Sequence, residues 1–334
     1  MKRFRSNSWE LVLLSILIIE FVVFAAKNSK FLMPRVLFGS INDIISICII
    51  SLFVTFVMIT GGIDIQAGSI VGLSSIVLGV AWQDGGMNIW VSSLLAVVVA
   101  ALCGALSGFF VAYCKVQPMV VTLGGSFLFS GLGLLVSNLS ATESYKGIAG
   151  FPDSFIKLSK YKLFDVIPSQ VLIFLTLAVI AFFLLHKTKY GRQVFLVGVN
   201  QEAAEYSGIN TRLIIMSTYI LSGISASIAG IVLTSYLGTA KSDIGATLTL
   251  PIITAVVLGG TLSTGGRGSV IGTALAAVVI GVLRFGLPLC FKVSQQYLDI
   301  PVGMLLLVVV IGRSLAGNSK VRTMFARKKE NVEC

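Results

Sequence analysis

HKTKYGRQVFLVGVNQEAAEYSGINTR, residues 186–212, is the longest polar break in the second half of the chain, and apolar runs flank it on both sides. Lys187, Lys189, Arg192 and Arg212 put it in the cytoplasm if those runs cross a membrane. Within it, Gln201–Ser207 reads as a short helix. Asn200 suits the N-cap, because its side chain can accept from the free N–H groups of the first turn. Glu202 and Glu205 lie near the positive end of the helix dipole. Gly208 suits the position just past the C-cap, where φ > 0 is needed. Two readings stand: a docking surface for a soluble partner, or a loop that turns the chain round.

Outward from this stretch the chain is oily. Of its 334 residues 56% are hydrophobic, the mean hydropathy is +0.96, and 12% are charged. That charged share is about half that of a soluble domain. A soluble protein exposing so little charge would not stay dispersed, so the class is an all-α polytopic membrane protein. No soluble block exceeds about thirty residues, which favours one integral membrane domain over 1–334. The formal charge of +11 suits cytoplasmic ends and anionic lipid headgroups better than nucleic acid.

Ten apolar segments follow: Trp9–Ala26, Val36–Thr60, Ser69–Trp82, Ile89–Tyr113, Met119–Asn138, Pro168–Leu185, Leu213–Tyr236, Leu248–Gly260, Ser269–Pro288 and Pro301–Leu315. In hydrocarbon only helices satisfy the backbone of such segments. The first has a basic start resembling a signal peptide, but Glu20 interrupts it and its length spans the bilayer, so it reads as an uncleaved helix. An even count puts both termini on one side. Lys2, Arg3 and Arg5 in the N-terminus (1–8) and Lys320, Arg322, Arg327, Lys328 and Lys329 in the tail (316–334) place that side in the cytoplasm, with Lys115 and Arg267. Lys146, Lys157, Lys160 and Lys162 then fall outside, against the rule.

Small residues one turn apart mark close packing: Gly104 and Gly108; Ser222, Ala226 and Gly230; Gly268, Gly272 and Ala276. These faces pack the bundle internally or form a subunit interface.

The third and eighth segments are short and have Gly-rich polar borders, residues 61–69 before one and 259–269 after the other. Short, interrupted segments at matching places in two five-helix halves point to a transport path; tight turns are the plainer account. Gly61, Gly62, Asp64, Gln66, Gly259 and Gly260 are the path candidates. Asp64 either caps the third helix or meets a polar solute, since a carboxylate at that depth needs one or the other. Glu20 and Asp43 read as satisfied structural acids.

Enzyme chemistry lacks residues. His186 is the only histidine, which leaves little for a zinc site or a Ser-His-Asp triad. Cys48, Cys103, Cys114, Cys290 and Cys334 form no C-x-x-C pair. The chain has no P-loop motif, no H-E-x-x-H and no G-x-S-x-G. No cofactor is implied, and ATP as an energy source would require a partner that binds it.

Three motifs resemble a known family. Gly61-Gly62-Ile63-Asp64-Ile65 with Gly68-Ser69, the run Gly191-Arg192, Gly198, Asn200, Ala203-Ala204 and Ser207-Gly208-Ile209, and Ala255–Gly260 with Gly265-Gly266 and Gly268-Ser269 resemble, in order, the ribose/galactose-type permeases of ATP-binding-cassette importers. Residues 186–188, 242–246 and 310–314 resemble more closely a branch of that family that imports autoinducer-2, a small furanose-like polyol derivative. The resemblance implies ten helices in two related halves, a second homologous permease, an ATPase subunit below and a periplasmic solute-binding protein above. It implies that Asn200, Gln201, Glu202, Ala203, Ala204, Tyr206, Ser207 and Gly208 contact the ATPase. A permease for another pentose or hexose, and an ion-coupled secondary transporter using Glu20, Asp43 and Asp64, are the alternatives.

Overall fold

A computed structural model describes residues 4–143, 146–163, 167–294 and 297–317. Lys2, Arg3 and the basic residues from Lys320 onward lie outside the described residues, as do the side chains of Arg5 and Asp43. The described chain is mostly helical. Each of the ten apolar segments is a helix: α1 (Phe4–Lys27), α2 (Pro34–Ile59), α3 (Ala67–Gln83), α4 (Ile89–Ala112), α5 (Pro118–Ser137), α7 (Ser169–Lys187), α10 (Thr211–Leu237), α11 (Thr249–Leu258), α12 (Val270–Phe291) and α13 (Asp299–Gly317). Between them come α6 (Asp153–Lys160), α8 (Lys189–Val199) and α9 (Gln201–Tyr206). Among the described residues, six helices are long and apolar enough to cross a membrane: α1, α4, α5, α7, α10 and α12. Counted only where side chains are described, the other four apolar helices give shorter stretches: Ile44–Ile59 of α2, Ala67–Gln83 of α3, Thr249–Leu258 of α11 and Asp299–Val309 of α13.

Local chemistry sets the helix ends. Pro34 and Pro118 begin α2 and α5, where a missing N–H costs nothing. The side chains of Asn88, Asn210 and Ser269 accept from the first-turn N–H groups of Trp90, Leu213 and Gly272.

The helices sort into two ends. At one end Gly266 N–H donates to Ile59 O (2.8 Å), Trp9 Nε1 donates to Leu258 O (2.8 Å) and Val270 N–H reaches His186 Nε2 (3.5 Å). This end holds α8, α9 and the start of α1. At the other, β1 (Ile148–Ala149) pairs antiparallel with β4 (Thr239–Ala240), and β2 (Lys162–Leu163) with β3 (Ile167–Pro168). There α6 buries Phe155 and Ser159 and exposes Lys157 and Lys160.

Helix α10 is the hub, packing on α2, α3 and α4, with α4 its largest neighbour. That approach is backbone to backbone: a Cβ at Gly104 would collide with Tyr219 O, and one at Gly108 would lie 2.9 Å from Met216 Cα. Gly230 lies against Val71 and Gly272 against Gly259, so all three small-residue faces pack internally. Helix neighbours also recur in pairs: α10–α4 and α2–α12, α10–α3 and α2–α11, α3–α5 and α11–α13, α3–α4 and α11–α12.

Candidate functional site

Between α2 and α3 the chain runs unwound through residues 61–66, from the α9 end into the interior of the bundle. Buried backbone needs partners, and here side chains supply them. Thr122 Oγ1 donates to Ile63 O (2.9 Å) and Thr249 Oγ1 to Ile65 O (3.2 Å). Asp64, 1% exposed, accepts from Gln66 N–H (3.1 Å) and from Ser222 Oγ (2.5 Å). Its carboxylate also accepts from the Ala67 amide. Each of these partners donates, so Asp64 holds the start of α3 and ties it to α10. Gln66 Oε1 accepts from Ser107 Oγ (2.7 Å), while Gln66 Nε2 and the Tyr219 hydroxyl, both buried, have no protein partner.

Because of this break α3 begins deep. Gly79 touches Ala240 and Ile148 at the β1–β4 end, and Ala67 lies twelve residues earlier, about 18 Å down the helix. Helix α11 is ten residues, about 15 Å, or half the hydrocarbon thickness. It ends at Leu258 on the α9 end, so its start at Thr249 is also near mid-depth. The two starts meet there: a Cβ at Gly68 would lie 2.5 Å from Gly245 O and 2.7 Å from Thr249 Oγ1.

The break opposing residues 61–66 is therefore 238–248, the connection between α10 and α11. The glycine stretch 259–269 was the expected counterpart. Gly259 instead packs on Thr273 of α12, Gly260 N–H bonds Val257 O (3.1 Å), and Gly265 approaches Gly61 and Ile59 at the α9 end. Gly62 lies against Tyr219 and Val57. The six path candidates thus divide. Gly62, Asp64 and Gln66 sit inside the bundle, Gly61 lies at its α9 end, and Gly259 and Gly260 belong to the α11–α12 turn. Sequence reading gave Ser222 only a packing role and did not single out Ser107 or Thr249. Glu20 lies apart, in α1, which packs on α12.

At the α9 end the short helix has the expected caps. Asn200 Oδ1 accepts from Ala203 N–H (2.9 Å), and Gly208 has φ +80°. Ser207 is the C-cap rather than the last helical residue. Ala204, 4% exposed, seats the helix in the buried cluster that also holds Val197, Ile214 and Ile215. Gln201, Glu202, Ala203 and Ser207 face out, and Tyr206 is 93% exposed. Beneath α9 a cavity of about 460 Å³ runs to Gly62 and Tyr219 between Lys115, Gln117 and Glu205. Helix α8, unforeseen in the sequence, bonds to α10 through the Tyr190 hydroxyl and Ser217 Oγ (2.7 Å).

Apolar helices stacked round two broken segments, with a capped helical knob at one end, make a helical bundle of the multi-pass membrane class. Residues 36–310 match the family described as branched-chain amino acid transport system / permease component. The chain belongs to that family. It is 40% identical over 316 residues to the autoinducer 2 import system permease protein LsrD of Yersinia pseudotuberculosis serotype O:3, covering 95% of this chain and 94% of the relative. With the Escherichia coli (strain SMS-3-5 / SECEC) protein of the same name it shares 40% over 324 residues, 97% of each. A solved structure, PsaBC from Streptococcus pneumoniae in complex with Fab, aligns with TM-score 0.48 and 12% identity, over 87% of this chain and 95% of that one.

Proposed function

We propose that the chain is the membrane-spanning permease subunit of an ATP-binding-cassette importer that carries autoinducer-2 across the bacterial inner membrane. The relatives' shared name and near-complete coverage support the solute. The observation that carries the mechanism is α9: capped at both ends, seated by Ala204, and presenting Tyr206 outward. Its partners are an ATPase subunit gripping α9, a second homologous permease, and a periplasmic solute-binding protein. Lys115, Lys187, Lys189, Arg192, Arg212 and Arg267 gather at the α9 end, which supports a cytoplasmic α9 and cytoplasmic termini. The recurring helix pairs support two related halves, α1–α5 and α7 with α10–α13, in a single permease domain.

ATP-driven closure of the partner moves α9, and α10 follows because only the Asn210-capped turn separates them. The Ser222–Asp64 bond passes that movement to residues 61–66 and α3. ATP shifts the equilibrium only as far as the partner grips α9 differently in the two states. The test is uptake of labelled autoinducer-2 by proteoliposomes holding the full importer. ATP-dependent uptake is expected. Uptake by this chain alone, driven by a proton gradient, would make it a secondary transporter. ATP-dependent uptake of ribose or galactose in place of autoinducer-2 would reassign the solute.

A further inference from the structure

Ser69 of α3 lies within 3.0 Å of two serine hydroxyls on α5, Ser126 Oγ and Ser130 Oγ. Ser130 is exposed, and Ser69 and Ser126 are half-buried. In α5, which starts at Pro118, these two serines sit about 12 and 18 Å along the axis. That is the middle of a hydrocarbon layer about 30 Å thick.

Exposed hydroxyls elsewhere in the long apolar helices behave differently. Ser15 in α1 donates to Leu11 O and Thr176 in α7 to Leu172 O, each at 2.8 Å. Each spends its O–H on its own helix, which suits a lipid-facing position. Ser69, Ser126 and Ser130 bond one another instead. Two bonds among three hydroxyls leave one O–H and several acceptor lone pairs without a protein partner. Beside them the 241–248 turn brings Gly245 onto Gly68, and Ala246 and Thr247 are exposed. A polar surface at this depth is tolerated only where it meets water or protein.

We infer that Ser69, Ser126 and Ser130 form a contact subsite for the transported solute, recognising a small neutral polyhydroxylated molecule by exchanging hydroxyl–hydroxyl bonds as it passes. The inference rests on the importer reading above. It places the solute against the outer face of α3 and α5, not inside the bundle at Asp64, whose bonds are already committed.

Two measurements on the full importer test it. In a background without native cysteines, Ser130→Cys is treated with a charged methanethiosulfonate, and Leu102→Cys on the exposed face of α4 serves as the lipid control. Labelling at 130 but not at 102 is expected. Labelling at neither, or equally at both, overturns the subsite whatever the solute proves to be. Second, Ser126→Ala and Ser130→Ala, with native cysteines kept, should raise the KM for autoinducer-2 uptake about three- to tenfold each. Subunit assembly should stay unchanged, which keeps a KM effect apart from a folding defect. Wild-type KM in both variants overturns the subsite while leaving the importer reading intact, and absence of uptake by the wild-type importer fails that reading alone.

Discussion

Ser222 Oγ lies 2.5 Å from Asp64 Oδ2, joining the middle of α10 to a carboxylate 158 residues away in the unwound segment before α3. With the amides of Gln66 and Ala67 this makes a buried anion held wholly by donors. Removing one donor leaves part of its desolvation uncompensated, at a cost of about 2 kcal/mol. Ser222→Ala is therefore expected to destabilise the protein by that order in equilibrium unfolding with SDS in mixed micelles. In a double-mutant cycle with Asp64→Asn the second substitution should cost clearly less than it does alone. Strict additivity would show that the bond does not couple α10 to the broken segment.

The Gly68–Gly245 approach makes a steric prediction. A methyl group on Gly68 meets the Gly245 carbonyl at 2.5 Å, and one on Gly245 collides with Gly68 O. Both obstacles are backbone, so relief requires moving α3 or the 241–248 turn. Gly68→Ala is expected to lower stability by about 1–3 kcal/mol, read as earlier SDS unfolding and less monodisperse protein. Gly86→Ala is the control for a glycine with open space, although its φ of +61° carries a modest cost of its own. Equal losses in the two variants would remove the close approach as the cause.

At α9, the outward and inward residues separate two effects. Tyr206 is almost wholly exposed, so Tyr206→Ala leaves the fold stable within about 0.5 kcal/mol. Under the proposed function it weakens the grip of the ATPase and lowers ATP-driven uptake several-fold. Ala204→Asp forces a carboxylate into the buried apolar cluster that Ala204 joins and unseats the helix itself. Hydrogen exchange over residues 201–206 should accelerate in Ala204→Asp and stay unchanged in Tyr206→Ala. Wild-type uptake in Tyr206→Ala would remove that side chain from the coupling contact.

What the sequence discloses follows from how local each signal is. Ten helices were readable because apolar content within a single segment decides them, and the α9 caps because Asn200 and Gly208 act on their immediate neighbours. Helix α8 was not readable: its eleven residues carry Lys189 and Arg192, and its buried face is only Gly191, Val194 and Val197. The partner of the 61–66 break was misjudged for a different reason. Glycines at 259–260 and at 245 look alike in sequence, and only the fold shows that Gly245 meets Gly68. The same holds for the hydroxyls. Nothing in the local sequence tells Ser126, which reaches across to Ser69, from Thr176, which bonds its own helix.

Tyr190 supplies a pH test at the α8–α10 contact. Ser217 Oγ donates to Ile214 O (2.7 Å), so the Tyr190 hydroxyl is the donor in its bond to Ser217. Burial pushes the Tyr190 phenol above its ordinary value of about 10, because the charged form would lose its hydration. The sign follows from linkage. With the folded value raised, the stabilisation is complete below the unfolded value and is lost as pH climbs from there through the folded value. Near neutral pH Tyr190→Phe forfeits one hydrogen bond, about 1 kcal/mol. Above about pH 10 the wild-type advantage should shrink, because its unfolded chain ionises first. SDS unfolding of both proteins from pH 8 to 11 measures the gap, and a gap that stays constant or widens would mean that burial does not hold the Tyr190 phenol above its unfolded value.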